Sequence, residues 1–322
     1  MKNNTLEEIA SRIIARDEWL IIGHIIPDGD CIGSMLSLYL ALKRLDKKAV
    51  MLLDDYIQPV YAFLEGAEQF RTPKEMSGTY PSVICLDCSN IYRVEEPVRT
   101  YIAASQECIN IDHHISNDYF GHFNFVDPEA AATGEIILDL LKHMGVKVEV
   151  SMAEALYAAI VMDTGGFFNA NTTSETMRKA AILLDLGVDI NKLRICMFES
   201  KSQMEMQLLG LALNSIAFTP DGKISWMVLN YEEVKSLGGK DFYPEGVIDY
   251  TRRVEGVELG ILFRETEPGL IKIGFRSKDK IDVASLAEIF GGGGHRRAAG
   301  AKLPGTLAEV VNMVLNRVQD VV

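Results

Sequence analysis

Four short apolar runs constrain most of what this chain can fold into. Residues 20–22, 49–53, 82–86 and 108–111 are nearly unbroken apolar stretches of three to five residues. They are too short for helices and lack the alternation of a strand with one wet face, so they read as strands buried on both sides. Around and between them lie segments with apolar residues at every third or fourth position, at 31–45, 131–144 and 152–162. Strands alternating with helices in this way imply a parallel sheet with helices on both faces.

The character changes near residue 190. Residues 189–213, rich in Met, Glu and Leu, read as a helical connector. Strand-like stretches follow at 224–230, 257–263 and 270–276, then a helix at 283–290, a Gly-rich turn and a last helix after Pro304. At 322 residues the chain is too long for one ordinary domain. The expected organisation is an α/β domain over 1–188, a connector over 189–214 and a smaller α+β domain over 215–322.

Charge is distributed unevenly. The whole chain carries −13, and residues 215–322 hold 14 Lys and Arg against 15 Asp and Glu, so nearly all the acidity lies before them. That balance argues against a broad basic face for long nucleic acid. Five scattered cysteines do not form a disulfide framework, and a redox or zinc role for the Cys85-x-x-Cys88 pair is the weaker reading. Residues 1–16 are charged throughout and lack a leader's apolar core, and no apolar run approaches the ~20 residues of a membrane span. A cytoplasmic protein with no membrane partner is expected.

Polar clusters follow the predicted strands, where open α/β sheets bind ligands. The first is His24, Asp28 and Asp30, in a loop that Pro27 and Gly29 equally suit to a simple turn. The second is Asp87, which alone is equally a helix N-cap. The third is Asp112-His113-His114. The fourth is Asp163, at a helix end followed by two glycines, where the negative end of the helix dipole disfavours a carboxylate and a cation would compensate. One sheet edge could unite His24, Asp28, Asp30, Asp87, His113 and Asp163 as a metal site. Donors of this kind, without cysteine, suit Mn²⁺, Mg²⁺ or Co²⁺ better than structural zinc.

The Asp112-His113-His114 triplet and the His24–Asp28–Asp30 loop resemble the signature motifs of the DHH phosphoesterase superfamily, and Asp87 and Asp163 match its other acidic motifs. Gly291-Gly292-Gly293-Gly294-His295, with Ala298-Ala299-Gly300 after it, resembles the motif of the DHH-associated C-terminal domain. The match runs in order along nearly the whole chain and is most similar to the NrnA group, oligoribonucleases that also dephosphorylate 3′-phosphoadenosine 5′-phosphate (pAp) to AMP.

The resemblance implies two divalent cations, Mn²⁺ foremost. One would be held by His24, Asp28 and Asp87, the other by Asp30, Asp87, His113 and Asp163. His114 would face the substrate phosphate, with Asp112 orienting the histidines. Two such cations roughly 4 Å apart acidify a water and neutralise phosphoryl charge, so no covalent intermediate is expected. Arg93, after Asp87, matches a position where the family carries arginine.

For substrate binding, Gly293 and Gly294 permit close backbone approach beside His295, and Arg276 with Ser277 is the best candidate phosphate clamp. Arg252, Arg253 and Arg264 are weaker candidates, and Arg296 and Arg297 read equally as surface. His122 and His143 read as structural or surface residues, and Trp19 and Trp226 as core. The expected partners are short single-stranded RNA or small nucleotides, with a homodimer left open. A cyclic di-AMP or pApA phosphodiesterase is the alternative activity, and a nucleotide-sensing binding protein the non-catalytic one.

Overall fold

The structure is a computed structural model that describes residues 3–54, 57–239 and 246–318. The chain divides between Ser200 and Lys201 into two compact units. Among the described residues no helix is long and apolar enough to cross a membrane.

The first unit runs α1 (Leu6–Ala15), β1 (Glu18–Ile22), α2 (Gly29–Arg44), β2 (Lys48–Leu52), β3 (Phe70–Arg71), β4 (Ser82–Leu86), α3 (Glu96–Ala104), β5 (Glu107–Asp112), β6 (Phe123–Val126), α4 (Thr133–His143), α5 (Val150–Asp163), α6 (Ser174–Asp185) and α7 (Ile190–Phe198). Its six strands form a sheet in the order β3-β2-β1-β4-β5-β6, with every pair parallel. The short apolar runs are continuous because both faces are covered. Trp19, Ile21, Ile84, Leu86, Ile109 and Ile111 point into one core beneath α1, α2, α4 and α5. Leu20, Ile22, Val83, Cys85 and Cys108 alternate with them into a second core that also takes Val98 and Ile102 of α3. Each fully buried Ile or Leu adds ~1.5–3 kcal/mol of transfer free energy.

The four predicted strands correspond to β1, β2, β4 and β5, and the three predicted helices to α2, α4 and α5. Strands β3 and β6 were not foreseen. They are edge strands of two and four residues, with too little sequence for a pattern to show. Helix α1 is amphipathic and opens with a Thr5–Glu8 capping box.

Residues 189–213 are not one helix. Helix α7 ends in the first unit, and α8 (Gln203–Asn214) begins the second after Ser202, whose side chain accepts from the Glu205 amide in another capping box. The second unit continues with β7 (Ala217–Phe218), β8 (Ile224–Leu229), α9 (Tyr231–Ser236), α10 (Asp249–Arg252), β9 (Leu259–Glu267), β10 (Leu270–Ser277), α11 (Val283–Glu288), β11 (Gly293–His295), β12 (Ala298–Pro304) and α12 (Leu307–Val318). The strand order is β11-β12-β10-β9-β8-β7, parallel only between β8 and β9. Helices α11 and α12 cover one face. Residues of α8, α9 and the α10 region pack on Met227, Leu229 and Leu262 of the other.

The glycine run is more ordered than the turn expected from sequence. Gly293 and Gly294 pair with Gly300 and Ala299 as strand β11. Close packing demands glycine at two of these positions, since a Cβ on Gly292 would lie 2.1 Å from the Gly300 carbonyl oxygen and one on Gly294 2.6 Å from the Ala298 carbonyl oxygen.

Candidate metal centre

Strands β1, β4 and β5 lie side by side at the centre of the first sheet, so the segments leaving their carboxyl ends converge. The β1 exit carries His24, which is buried, and Asp28, which caps α2 by accepting from the Asp30 and Cys31 amides at 3.0 and 3.2 Å. Asp30, in the first turn of α2, is fully buried. Its oxygens accept from the Thr133 and Gly134 amides at the start of α4, at 2.6 and 2.8 Å, and from Ser34 Oγ at 3.2 Å. Gly134 has to be small, because its Cβ would lie 2.7 Å from the Ala159 Cβ.

Asp87 follows β4 with φ +59°, a left-handed conformation that Asp tolerates better than most residues but that still carries strain. Its carboxylate is the hub of the cluster. Oδ2 lies 3.3 Å from His24 Nε2, and Oδ1 lies 3.6 Å from His113 Nε2 and accepts from Thr133 Oγ1 at 3.0 Å. His113 Nε2 is also 3.8 Å from Asp30 Oδ2 and 3.5 Å from Asp163 Oδ2. Asp163 is the last residue of α5, with its backbone carbonyl held by the side-chain amides of Asn169 and Asn171. All six metal-ligand candidates are therefore brought together.

Hydrogen bonds aim the imidazoles of His24 and His113. His24 Nδ1 meets the Ile25 carbonyl at 2.8 Å and His113 Nδ1 the Ala130 carbonyl at 3.2 Å. Carbonyls only accept, so Nδ1 must be the donor in each ring and Nε2 faces the carboxylates. An imidazole lone pair turned on carboxylates at 3.3–3.8 Å is unfavourable unless a proton or metal ion lies between. His114 is set differently. Its Nδ1 donates to Asp112 Oδ1 at 2.7 Å, and its side chain is 22% exposed. Asp112 itself is fully buried and also accepts from the His113 amide and from Asn117 Nδ2.

The electrostatics record the crowding of like charges. Burial, with Asp87 and Asp163 nearby, pushes the Asp30 carboxyl well above its ordinary range. Burial also lifts Asp163 to about 7, against the opposing pull of His113. Burial would lower the two imidazoles, but their acidic neighbours outweigh it and hold His24 at about 10 and His113 at about 9. Burial would likewise raise Asp87, yet its hydrogen bond to His24 and the charges of His24, His113 and His114 keep it well below the carboxylate range. Protons on the imidazoles balance these acids in the metal-free protein, and a divalent cation would replace them. The mixed His and Asp donor set fits such a cation.

Two family descriptions match the chain: the DHH family N-terminal domain over residues 18–160 and the DHHA1 domain over residues 245–322. A Thermus thermophilus protein named bifunctional oligoribonuclease and PAP phosphatase NrnA is 35% identical over 302 residues, covering 93% of this chain and 89% of the relative. The chain belongs to the DHH family. A Bacillus subtilis protein of the same name is 26% identical over 301 residues, with 92% of each chain covered. Among solved structures, an exopolyphosphatase-related protein from Bacteroides fragilis superposes on this DHH chain with a TM-score of 0.90 at 26% identity, covering 98% of it and 97% of the other.

Several residues of the centre were not legible in advance. Thr133 and Gly134 hold two of its carboxylates from α4, and Asn117 holds Asp112. Cys31, set aside with the other cysteines, comes close as well. One ligand atom each from His24, Cys31 and Asp87 lie within 4.8 Å of one another, with the thiol fully buried and 3.9 Å from Met35 Sδ. The thiols of the Cys85-x-x-Cys88 pair lie elsewhere: Cys85 Sγ sits 3.9 Å from Cys108 Sγ in an apolar layer, and Cys88 donates to the Leu86 carbonyl. His122 Nδ1 accepts from the Cys108 amide, and Trp19 is fully buried with its indole N–H on the Ile13 carbonyl.

Arg93 ends a short 3-10 turn whose backbone accepts from Ile25, next to His24. The other substrate candidates lie in the second unit. Arg276 and Ser277, adjacent on β10, face opposite sides of the sheet. Arg276 is 28% exposed and 3.9 Å from Asp249, whereas Ser277 is fully buried and its hydroxyl has no hydrogen-bond partner among the described residues. Gly293 and Gly294 are exposed on β11. The backbone of His295 completes that strand, and its side chain lies outside the described part of the structure.

Proposed function

We propose that this DHH protein is a metal-dependent phosphoesterase that hydrolyses short oligoribonucleotides to mononucleotides and pAp to AMP. It would use two divalent cations, with Mn²⁺ the expected ion. The observation that carries the reading is the convergence of His24, Asp28, Asp30, Asp87, His113 and Asp163 on one hub carboxylate, beside a His114 already aligned by Asp112. The name of the relative that is 35% identical over 93% of the chain supplies the substrate class.

In this reading His24, Asp28 and Asp87 hold one cation, and Asp30, Asp87, His113 and Asp163 the other. Bound cations supply Lewis acidity to the phosphoryl oxygens and to the attacking water. The chain's own residues orient and charge the site. Asp112 keeps the Nδ1 proton of His114, so Nε2 can hydrogen-bond a phosphate oxygen and, when protonated, stabilise charge developing on the leaving side. The amides of Thr133 and Gly134 keep Asp30 from rotating. No Ser or Cys nucleophile is required. In the second unit, Arg276, His295 and the Gly293–Gly294 backbone would hold the substrate.

The test is a panel of pAp, pApA, RNAs of two to five nucleotides and pyrophosphate, assayed with Mn²⁺ and again after chelation. Turnover of pAp and the short RNAs, abolished by chelator and restored by Mn²⁺, is the expected result. Activity untouched by chelation, or confined to pyrophosphate, overturns the proposal.

A further inference from the structure

The four segments that bring the ligand residues to the metal centre are the exits of β1, β4 and β5 and the turn after α5. Each also carries one large apolar side chain left in water: Ile26 at 65% exposed, Tyr92 at 79%, Ile115 at 90% and Phe168 at 94%. Among the described residues no other large hydrophobic side chain exceeds 55%. Each of the four stands within five positions of His24, Asp87, His113 or Asp163. Hydrogen bonds tie the segments together. The Ile25 amide donates to the Arg93 carbonyl at 2.7 Å, and the Asp118 amide to the Ser89 carbonyl at 2.9 Å. The Asn171 side-chain amide spans from the Asp163 carbonyl to that of Ala131, next to the Ala130 that holds His113. Single exposed apolar residues are ordinary on a protein surface, but four on linked segments form a patch.

Backbone strain singles out the same segments. Five described non-glycine residues have positive φ, and all but Asp46 lie in these exits, one in each: Ile26 at +53°, Asp87 at +59°, Tyr119 at +56° and Phe167 at +70°. A β-branched residue such as Ile26 is a true outlier there, and strain of this kind gathers at functional sites. Gly165 and Gly166 are also left-handed, so three consecutive residues turn the chain after α5. The turn divides an aromatic pair: Phe167 packs on Tyr157 with ring centroids 6.1 Å apart, and Phe168 is turned out. Strain that presents Ile26 and Phe168 to water is offset by nothing those side chains touch in the free protein.

The chemistry of the patch selects what it can hold. Nearly all of the net charge of −13 lies before residue 215, so this unit repels a phosphate backbone except where cations neutralise it. A nucleotide's uncharged, flat and apolar part is its base. Two of the four side chains are rings, and the Tyr92 ring is backed by the Arg99 guanidinium 5.4 Å from its centroid while the side chain as a whole stays open to water. Aromatic rings of this sort stack on nucleobases of any identity.

We propose that this apolar rim binds the nucleobases next to the hydrolysed phosphate, with Tyr92 and Phe168 as stacking platforms and Ile26 and Ile115 as apolar contacts. The inference rests on the phosphoesterase reading above and deepens it. The rim makes a base a requirement without choosing among bases, so it separates nucleotides from inorganic polyphosphates and from base-free phosphodiesters, which gain nothing from stacking.

The experiment compares the wild type with Tyr92→Ala, Phe168→Ala and the double variant, and with Tyr92→Phe and Phe168→Tyr, which keep the rings. Ile14→Ala, half-exposed on α1 of the same unit, controls for generic loss of apolar surface. Each is assayed on pApA and on pApA with either base removed, and thermal melting checks folding. Binding is read separately by stopped flow with Mg²⁺, as quenching of a dinucleotide that carries the fluorescent base 2-aminopurine, which dims when it stacks. The double variant is expected to lose about tenfold in kcat/KM on pApA, carried by KM. On at least one of the abasic forms it should stay within about twofold of wild type, because the contact is already gone there. The ring-keeping variants should retain both turnover and quenching. Unchanged KM and quenching in the folded double variant, or an equal loss on pApA and both abasic forms, overturns the inference. So does a wild-type dimer in sedimentation that the double variant dissociates, since a second copy then covers the rim. A wild type that hydrolyses none of the substrates overturns the phosphoesterase reading instead, and quenching still reports whether the rim stacks a base.

Discussion

The carboxyl edge of the first sheet and the β10 face that carries Arg276 in the second handle charge in opposite ways. At the first, the Nε2 atoms of two imidazoles lie 3.3–3.8 Å from oxygens of four carboxylates, the group is mostly buried, and both imidazoles and three of the carboxylates are aimed by a backbone amide, a carbonyl or a hydroxyl. Burial magnifies every charge there, so the group is stable only with protons or metal ions among the acids. At the second, Lys272 and Arg276 stand on one face of β10 with Gly274 between them. The first arrangement suits bond breaking, where a fixed field has to meet charge as it develops. The second suits holding, because lysine and arginine head groups bind phosphate by charge and hydrogen bonds.

The contrast can be broken most sharply at the hub. Asp87→Ala removes the carboxylate that both imidazoles share, and it should lower turnover by at least ~1,000-fold, equivalent to ~4 kcal/mol of barrier. Metal content measured on the same protein should fall with it, while His143→Ala leaves both near normal. Near-normal turnover in Asp87→Ala would remove the two-metal reading altogether.

A smaller effect should come from the support beneath the hub. Thr133→Val deletes the hydroxyl that donates to Asp87 and keeps the shape. Loss of such a supporting bond commonly costs ~10–100-fold in metal affinity. Excess Mn²⁺ should restore turnover in this variant, and Thr133→Ser should need no rescue. If Mn²⁺ titrations of wild type and Thr133→Val coincide, the hydroxyl does not set the hub.

The second region is probed by His295→Ala. Binding of nucleotide substrates should weaken by ~1–3 kcal/mol, typical of one lost polar contact. A small artificial phosphodiester should be cleaved nearly as before. Equal losses on both substrates would place His295 in the chemistry or the folding and erase the proposed division of labour.

The smallest effect is on stability. In metal-free protein His24, at about 10, and His113, at about 9, hold protons more tightly than at their ordinary 6.5. Their protonation therefore stabilises the fold fully below pH 6.5, and that contribution is lost as pH rises through 9 and 10. The metal-free Tm should decline over this window. The rise in Tm on adding Mn²⁺ should be larger at pH 9 than at pH 6.5, because fewer protons then have to be displaced. A Mn²⁺-induced shift independent of pH would show that the imidazoles do not bind the ion.

By itself, the sequence determined the α/β class, the four central strands and the six residues that cluster. Buried parallel strands leave continuous apolar runs, and polar groups at their ends are conspicuous against them. It also determined the charge asymmetry between the two parts of the chain. The tertiary structure alone decided what lies between those landmarks. Thr133, Gly134 and Asn117 act through hydrogen bonds to residues 103, 104 and 5 positions away, and small residues at a helix start or in a loop carry no signal of such partners. Cys31 stands beside His24 and Asp87 only because the first turn of α2 folds back over the β1 exit. Ser277 looked like a partner of Arg276 because they are adjacent, but adjacency in a strand puts side chains on opposite faces. The row of Gly274, Gly300 and Gly293 comes from three strands whose register is set by pairing across the sheet, and pairing is a long-range property that local sequence does not encode.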